Sequence, residues 1–181
     1  MTPQHTTKIL NHVASDLSKV TKLYLSECRI SDISPLRPLT TLTNLHLSDN
    51  QISDIEPLIS LTNLGWIHIG YNRIVDIKSL TNLTNLIELD IMNNQVSDIE
   101  PLQSLINLTG LSIQNNQISD IKPLATLTNL TWLDLESNRI SDIKPLTSLT
   151  NLAELYIGDN QVSYQDISWL QTKLPNCNIH L

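Results

Sequence analysis

The chain has 181 residues, of which 11 are Lys or Arg and 18 are Asp or Glu, for a formal net charge of −7. That balance argues against nucleic acid, whose phosphates need a basic surface, and against docking on anionic membranes. Phe is absent and aromatics are 4% of the chain, while Leu (32) and Ile (22) dominate, so the core is built almost wholly from two isomeric aliphatic side chains.

From the N-terminus, Thr2-Pro3 suits an N-cap and N1 pair, and Ile9, Leu10, Val13 and Leu17 follow at helical spacing. The expectation is a short helical cap over 1–16. This stretch lacks the apolar run of a secretory signal, and nothing in the chain approaches the roughly 18 apolar residues of a membrane span. The expected location is cytoplasmic, with a secreted or host-delivered form as the alternative.

A repeat occupies 17–163. Asn50, Asn72, Asn94, Asn116, Asn138 and Asn160 stand 22 residues apart, each closing the same phrase. Leu42 to Asn50 (Leu-Thr-Asn-Leu-His-Leu-Ser-Asp-Asn) recurs as Leu108 to Asn116 and as Leu130 to Asn138, and an earlier copy runs from Val20 to Cys28. Leu-x-Leu alternation has the period of a strand with two residues facing in and the one between them facing out. The closing Asn can donate and accept at once, so stacked copies predict a ladder along the repeat. Ile-Ser-Asp-Ile-x-Pro-Leu follows, as at Ile118 to Leu124. Ser and Asp suit a capping turn and Pro a first helical turn, which predicts a short 3₁₀ turn and no long helix. No copy can bury its apolar side alone, so stability must come from stacking.

At the C-terminal end, over 164–181, the spacing slips by one or two residues at Tyr164-Gln165-Asp166. Asp166 is expected to cap a helix through Lys173, with Ile167, Trp169 and Leu170 on its apolar side. Leu174 to Ile179 then reads as a last strand with Cys177 in its inward column. With a cap at each end the repeat domain reads as complete.

The sequence resembles the leucine-rich repeat family over about residues 17–181. The 22-residue subclass is shared by bacterial internalins and the regulatory subunit of type 1 protein phosphatase, and the wording here is most similar to the internalin type. The resemblance implies an α/β repeat fold, a right-handed solenoid with a concave parallel sheet and 3₁₀ turns on its convex side. It does not imply a partner, because many binders share the scaffold.

Cys28 and Cys177 lie almost seven coils apart, about 30 Å at the usual strand spacing, which excludes a disulfide between them. Two free thiols favour a reducing compartment. The sequons at Asn82, Asn107 and Asn129 fall inside the recurring Asn-Leu phrase and read as products of the repeat.

Because packing dictates the framework positions, the variable columns of the sheet are where function is expected. The outward column is Tyr24, His46, His68, Asp90, Ser112, Asp134 and Tyr156; the one before it is Lys22, Asn44, Trp66, Glu88, Gly110, Trp132 and Glu154. Two further columns include Glu136 and Tyr71. Of 3 Trp and 4 Tyr in the chain, all but Tyr164 and Trp169 fall in these columns. The columns also hold eight acids against Lys22 alone, while Lys78, Lys122 and Lys144 fall on the predicted back. Aromatics reserved for an exposed sheet, with charge of one sign, suit a docking surface for a basic or mixed-charge protein. The expected contacts are Tyr24, His46, Trp66, His68, Tyr71, Glu88, Asp90, Trp132, Asp134, Glu136, Glu154 and Tyr156, with Trp66 and Trp132 foremost. Cross-strand pairing also places aromatics and charges on such sheets for stability alone.

His46, His68 and Asp90 are consecutive in one column, a residue set that suits zinc, but no fourth ligand or supporting group accompanies them. The expectation is no metal and no cofactor. No nucleophile–base pair, phosphate loop or carboxylate cleft points to an enzyme. The leading expectation is a monomeric, non-enzymatic protein-interaction module. The alternatives are a regulatory subunit of a phosphatase or another enzyme, and a structural protein self-assembling through the edge near Ile179.

Overall fold

The computed structural model describes residues 19–181, so the N-terminal cap expected over 1–16 lies outside the described residues. Eight strands form one parallel sheet in sequence order: β1 (Lys22–Tyr24), β2 (Asn44–His46), β3 (Trp66–His68), β4 (Glu88–Asp90), β5 (Gly110–Ser112), β6 (Trp132–Asp134), β7 (Glu154–Tyr156) and β8 (Asn178–His180). Each hydrogen-bonded strand is only three residues long and begins one residue before the Leu-x-Leu phrase. The column expected just ahead of the strand is therefore its first residue.

The return path between strands is a 3₁₀ turn, at Ser34–Leu36, Glu56–Ser60, Lys78–Leu80, Glu100–Ser104, Lys122–Thr126 and Lys144–Ser148. Pro stands at the start of all of these but Lys78–Leu80, where Ser79 replaces it. The preceding Asp starts the turn: Asp54, Asp98 and Asp142 accept through Oδ1 from the backbone N–H two residues on, at 2.9, 2.9 and 3.0 Å. This side-chain turn replaces the missing helix N-cap. The turn residues carry the lysines expected on the back, and Lys78 and Lys122 lie 3.7 and 3.4 Å from Asp76 and Asp120 of their own turns.

Between sheet and turns lies one continuous aliphatic core in which Leu45, Ile52, Leu64, Leu89, Leu111 and Leu133 are 0% exposed. Burying each such side chain contributes about 1.5–3 kcal/mol, and every coil depends on its neighbours to do it. The expected asparagine ladder closes the core at the strand ends. Asn116 Oδ1 accepts from Val96 N–H of the previous coil at 2.9 Å, and its Nδ2 donates to Ile91, Ile113 and Gln114 carbonyls at 3.1 Å each. Asn50, Asn72, Asn94, Asn138 and Asn160 repeat the pattern. A second ladder uses the Asn of the Leu-x-x-Leu phrase. Asn107 and Asn129, two of the sequon residues, donate to the Thr84 and Ile106 carbonyls at 2.9 Å, so the repeat itself demands those amides.

Three details of the C-terminal end differ from expectation. The helix α1 spans Tyr164–Lys173 and its N-cap is Ser163, whose Oγ accepts from Asp166 N–H and donates to the Asp166 carboxylate; Asp166 is the third helical residue. Leu170 is buried and Ile167 partly so, but Trp169 stays 37% exposed, outside the core expected to hold it. Finally, Leu155 pairs with Ile179, an offset of two beyond the repeat. Cys177 thus precedes β8 and is buried in the turn leading into it, not in the inward strand column. The helix consumes the two extra residues. Burial pushes the Cys177 thiol up to about 11, and both cysteines are free.

Candidate functional site: the outward face of the sheet

In-register pairing brings the variable residues into straight rows. One row reads Tyr24, His46, His68, Asp90, Ser112, Asp134, Tyr156 and His180, and beside it run Lys22, Asn44, Trp66, Glu88, Gly110, Trp132, Glu154 and Asn178. The rows divide into two ring groups with acids between them.

At the N-terminal end, Tyr24 stacks on His46 and His46 on His68, both at 4.5 Å between centroids, the imidazoles only 4° from parallel. His68 also approaches Glu88 at 3.5 Å and Asp90 at 3.8 Å. The Asp90 carboxylate raises the His68 pKa above its ordinary value, against the effect of partial burial and with help from Glu88. His46 moves the other way, because burial and the neighbouring His68 charge disfavour its cation. Rings stacked face to face hold their nitrogen lone pairs in parallel planes, so His46, His68 and Asp90 do not converge on one point. Among the described residues no group of three His, Cys, Asp or Glu side chains is placed to hold a metal ion.

At the C-terminal end, Tyr156 stacks on His180 at 4.4 Å and 10°, and Trp132 leans on Tyr156 at 6.3 Å and 55°. Glu154 accepts from Asn178 at 2.8 Å and meets His180 at 2.7 Å. The His180 bond, then that of Asn178, holds the Glu154 carboxyl below its ordinary value. Neither His180 nor Asn178 was among the expected contacts. The two-residue slip at α1 hides them: continuing the repeat count places Asn178 in the outward row, whereas the extra residues bring His180 there.

The middle is acidic. Asp134 is half-buried, and that burial raises its pKa, with Glu136 and Asp90 adding to the effect. Glu136 accepts from Gln114 at 2.9 Å. Trp66 and Trp132 are 38% and 36% exposed and lie three strands apart, so the structure does not bring the two leading anchors together. Tyr71 lies beyond the strand end, 54% exposed, with φ 53°. Asp49, Asn93, Asn115 and Asp159 share this left-handed position and tolerate it. Glu27 and Ser137 hold the same conformation, so Tyr71 is one of three residues in this column without an Asn or Asp side chain to ease it.

These features define a leucine-rich repeat solenoid. The family model for leucine-rich repeats (2 copies) matches residues 18–60, 40–82, 62–104 and 128–172, and the chain belongs to that family. Its repeats are of the internalin type. It is similar to an internalin (inlF) of Listeria monocytogenes, with 35% identity and a TM-score of 0.80 over 92% of this chain and 55% of that one. It is also similar to an internalin C2 of the same organism, with 38% identity and a TM-score of 0.82 over 91% of this chain and 72% of that one. A leucine-rich repeat protein of Leptospira interrogans gives 26% identity and a TM-score of 0.85, over 91% of this chain and 43% of that one. The chain thus spans about half the length of the first of these structures. No curated protein matched it. Repeat proteins of this kind are in general protein-interaction modules and not enzymes. No helix among the described residues is long and apolar enough to cross a membrane.

Proposed function

We propose that the concave sheet face binds a protein partner of basic or mixed charge, through two aromatic groups flanking an acidic centre. The carrying observation is the arrangement of the outward face: stacked rings at Tyr24, His46 and His68, the stacked pair Tyr156 and His180 with Trp132 tilted against it, and Glu88, Asp90, Asp134 and Glu136 between them. Rigid aromatic surfaces supply contact area at small entropic cost, and the shared negative field speeds encounter with a basic surface. The same field disfavours nucleic acid and anionic lipid. The protein acts as a monomeric, non-enzymatic scaffold, and its two free thiols suit a reducing compartment such as the cytoplasm.

The test is affinity capture from native lysate with the wild-type chain and with the Trp66→Ala/Trp132→Ala double variant, repeated at raised salt. The expected result is a partner retained by the wild type, lost by the variant and weakened by salt. Equal retention by both proteins, with the variant's melting temperature unchanged, overturns the reading and moves the contact off this face.

A further inference from the structure

Glu88, Gly110 and Trp132 are consecutive in one row of the sheet, Glu88 pairing with Gly110 and Gly110 with Trp132. Gly110 is the one residue of that row without a side chain, so Glu88 and Trp132 stand on either side of a gap, their backbones about 9.6 Å apart. A Cβ built on Gly110 would lie 3.5 Å from Glu88 Cγ and 3.9 Å from Trp132 Cε3, so these two side chains edge the space the glycine leaves. The open notch has a volume of about 370 Å³ and is lined by Glu88, Thr109, Gly110, Thr131 and Trp132. The backbone does not ask for this glycine: its φ is not positive, and the contacts a Cβ would make are ordinary ones. A glycine in a strand gives up packing and costs conformational entropy.

The lining is rich in acceptors and short of donors. Thr109 Oγ1 donates to the Ile87 carbonyl at 3.3 Å and Thr131 Oγ1 to the Thr109 carbonyl at 3.1 Å. Each hydroxyl has spent its one proton on the backbone of the previous coil and keeps its lone pairs. Glu88 Oε1 has His68 Nε2 at 3.5 Å, and Glu88 Oε2 has no donor among the described residues. Glu154, on the far side of Trp132, is the contrast: its two oxygens take Asn178 and His180 at 2.8 and 2.7 Å. Lys22, the one Lys or Arg in either row, stands three strands from Glu88.

A lysine ammonium brings three N–H donors on a slim apolar stem. That matches one carboxylate and two hydroxyl oxygens, with the stem lying along an indole ring. A guanidinium is best met by paired acceptors along its edges, and the notch holds a single carboxylate. A divalent cation calls for more oxygen ligands than this lining supplies. We propose that the notch at Gly110 seats the ammonium of a lysine side chain of the partner protein, between the Glu88 carboxylate and the Trp132 ring, with the Thr109 and Thr131 hydroxyl oxygens accepting from it. The proposal rests on the concave face being the docking surface, and it names a residue type which that face recognises.

The experiment is an NMR titration of the ¹⁵N-labelled chain with N-acetyl-lysine methylamide, and in parallel with its norleucine and arginine counterparts. Norleucine keeps the stem and lacks the charge. Saturable shifts are expected with lysine at the Thr109, Gly110 and Thr131 amides and the Trp132 indole N–H, with arginine binding more weakly and norleucine not at all. Glu88→Gln should weaken the lysine affinity at least threefold, while Glu100→Gln on the convex turn leaves it unchanged. Gly110→Val fills the notch with a residue that strands favour, and should abolish lysine binding while the melting temperature holds or rises. An equal response to norleucine, tighter binding of arginine, full affinity in Gly110→Val, or unsaturable shifts spread over all surface acids overturns the proposal. A silent titration together with loss of capture by the Trp66→Ala/Trp132→Ala variant removes the lysine seat and leaves the docking face standing. Saturable lysine binding to the wild type with capture intact in that variant does the reverse.

Discussion

The asparagine ladder and the outward row run along the same sheet at the same spacing, yet they are built on opposite terms. In the ladder one residue type recurs, is largely shielded from water, and has its amide bonded on both sides to backbone of its own and the previous coil. In the outward row Tyr, His, Asp and Ser are mixed, most side chains are half-exposed, and the rings touch mainly their neighbours in the row. Uniformity along a solenoid marks what stacking requires, because any one coil can be replaced by the next. Variation at a position with the same backbone shows that stacking alone does not dictate the residue there.

The contrast can be tested from its strongest side first. Asn116→Ala strands the Val96 N–H and takes one of two amide donors from each of the Ile91 and Ile113 carbonyls, which keep those of Asn94 and Asn138, and should cost about 2 kcal/mol or more in urea unfolding. His46→Ala in the outward row should cost about 1 kcal/mol or less. Similar losses for the two would erase the distinction. Next come two substitutions that each remove a buried hydroxyl with no partner. Ser79→Pro restores the residue found at the start of the other turns, and the Leu80 N–H to Ile77 O bond of 2.9 Å shows the turn geometry to be the same. It should raise stability by about 1 kcal/mol. Ser112→Ala should also gain about 1 kcal/mol.

The smallest effect is in pH. His68 has a raised pKa, so its stabilisation is fully present below the ordinary histidine value and is lost as pH rises through the raised one. For His46, with a lowered pKa, the contribution is present above the ordinary value and is lost as pH falls through the lowered one. Imidazole NMR titration should show His68 protonating before His46 as pH falls. In His68→Gln the His46 midpoint should move back up, since the His68 charge no longer opposes it. The reverse order of protonation would contradict the stacked arrangement.

The fold was legible because its signals are local and repeated: Leu-x-Leu alternation, a buried Asn at each strand end, Asp and Pro at each turn. Each column of the outward face was legible for the same reason, since a 22-residue period plus parallel pairing determines which residues are neighbours. What the sequence hid arises where the period breaks or where two coils act together. His180 joins Tyr156 because ten residues of α1 shift the register, which the spacing alone locates only to within a residue or two. Trp169, at helical spacing for burial, stays exposed because Leu170 and Ile167 already cover the last coil. The stacking of His46 on His68, and not their convergence on a metal, depends on ring orientation, which a column of letters does not carry. Ser112 reads as an unremarkable small residue until its hydroxyl is found buried without a partner.

Each coil hands the next the same backbone bond at the start of its strand, as Gly65 N–H to Thr43 O, Ile87 N–H to Gly65 O and Thr109 N–H to Ile87 O, all at 2.8 Å. The chain is therefore a ruler with interchangeable segments. Substitution along the outward row alters what is recognised, while gain or loss of a whole coil between β3 and β6 changes the distance between the two ring groups in steps of about 4.8 Å. Chemistry and reach can be varied separately in such a molecule, by different kinds of genetic change, without re-solving the fold.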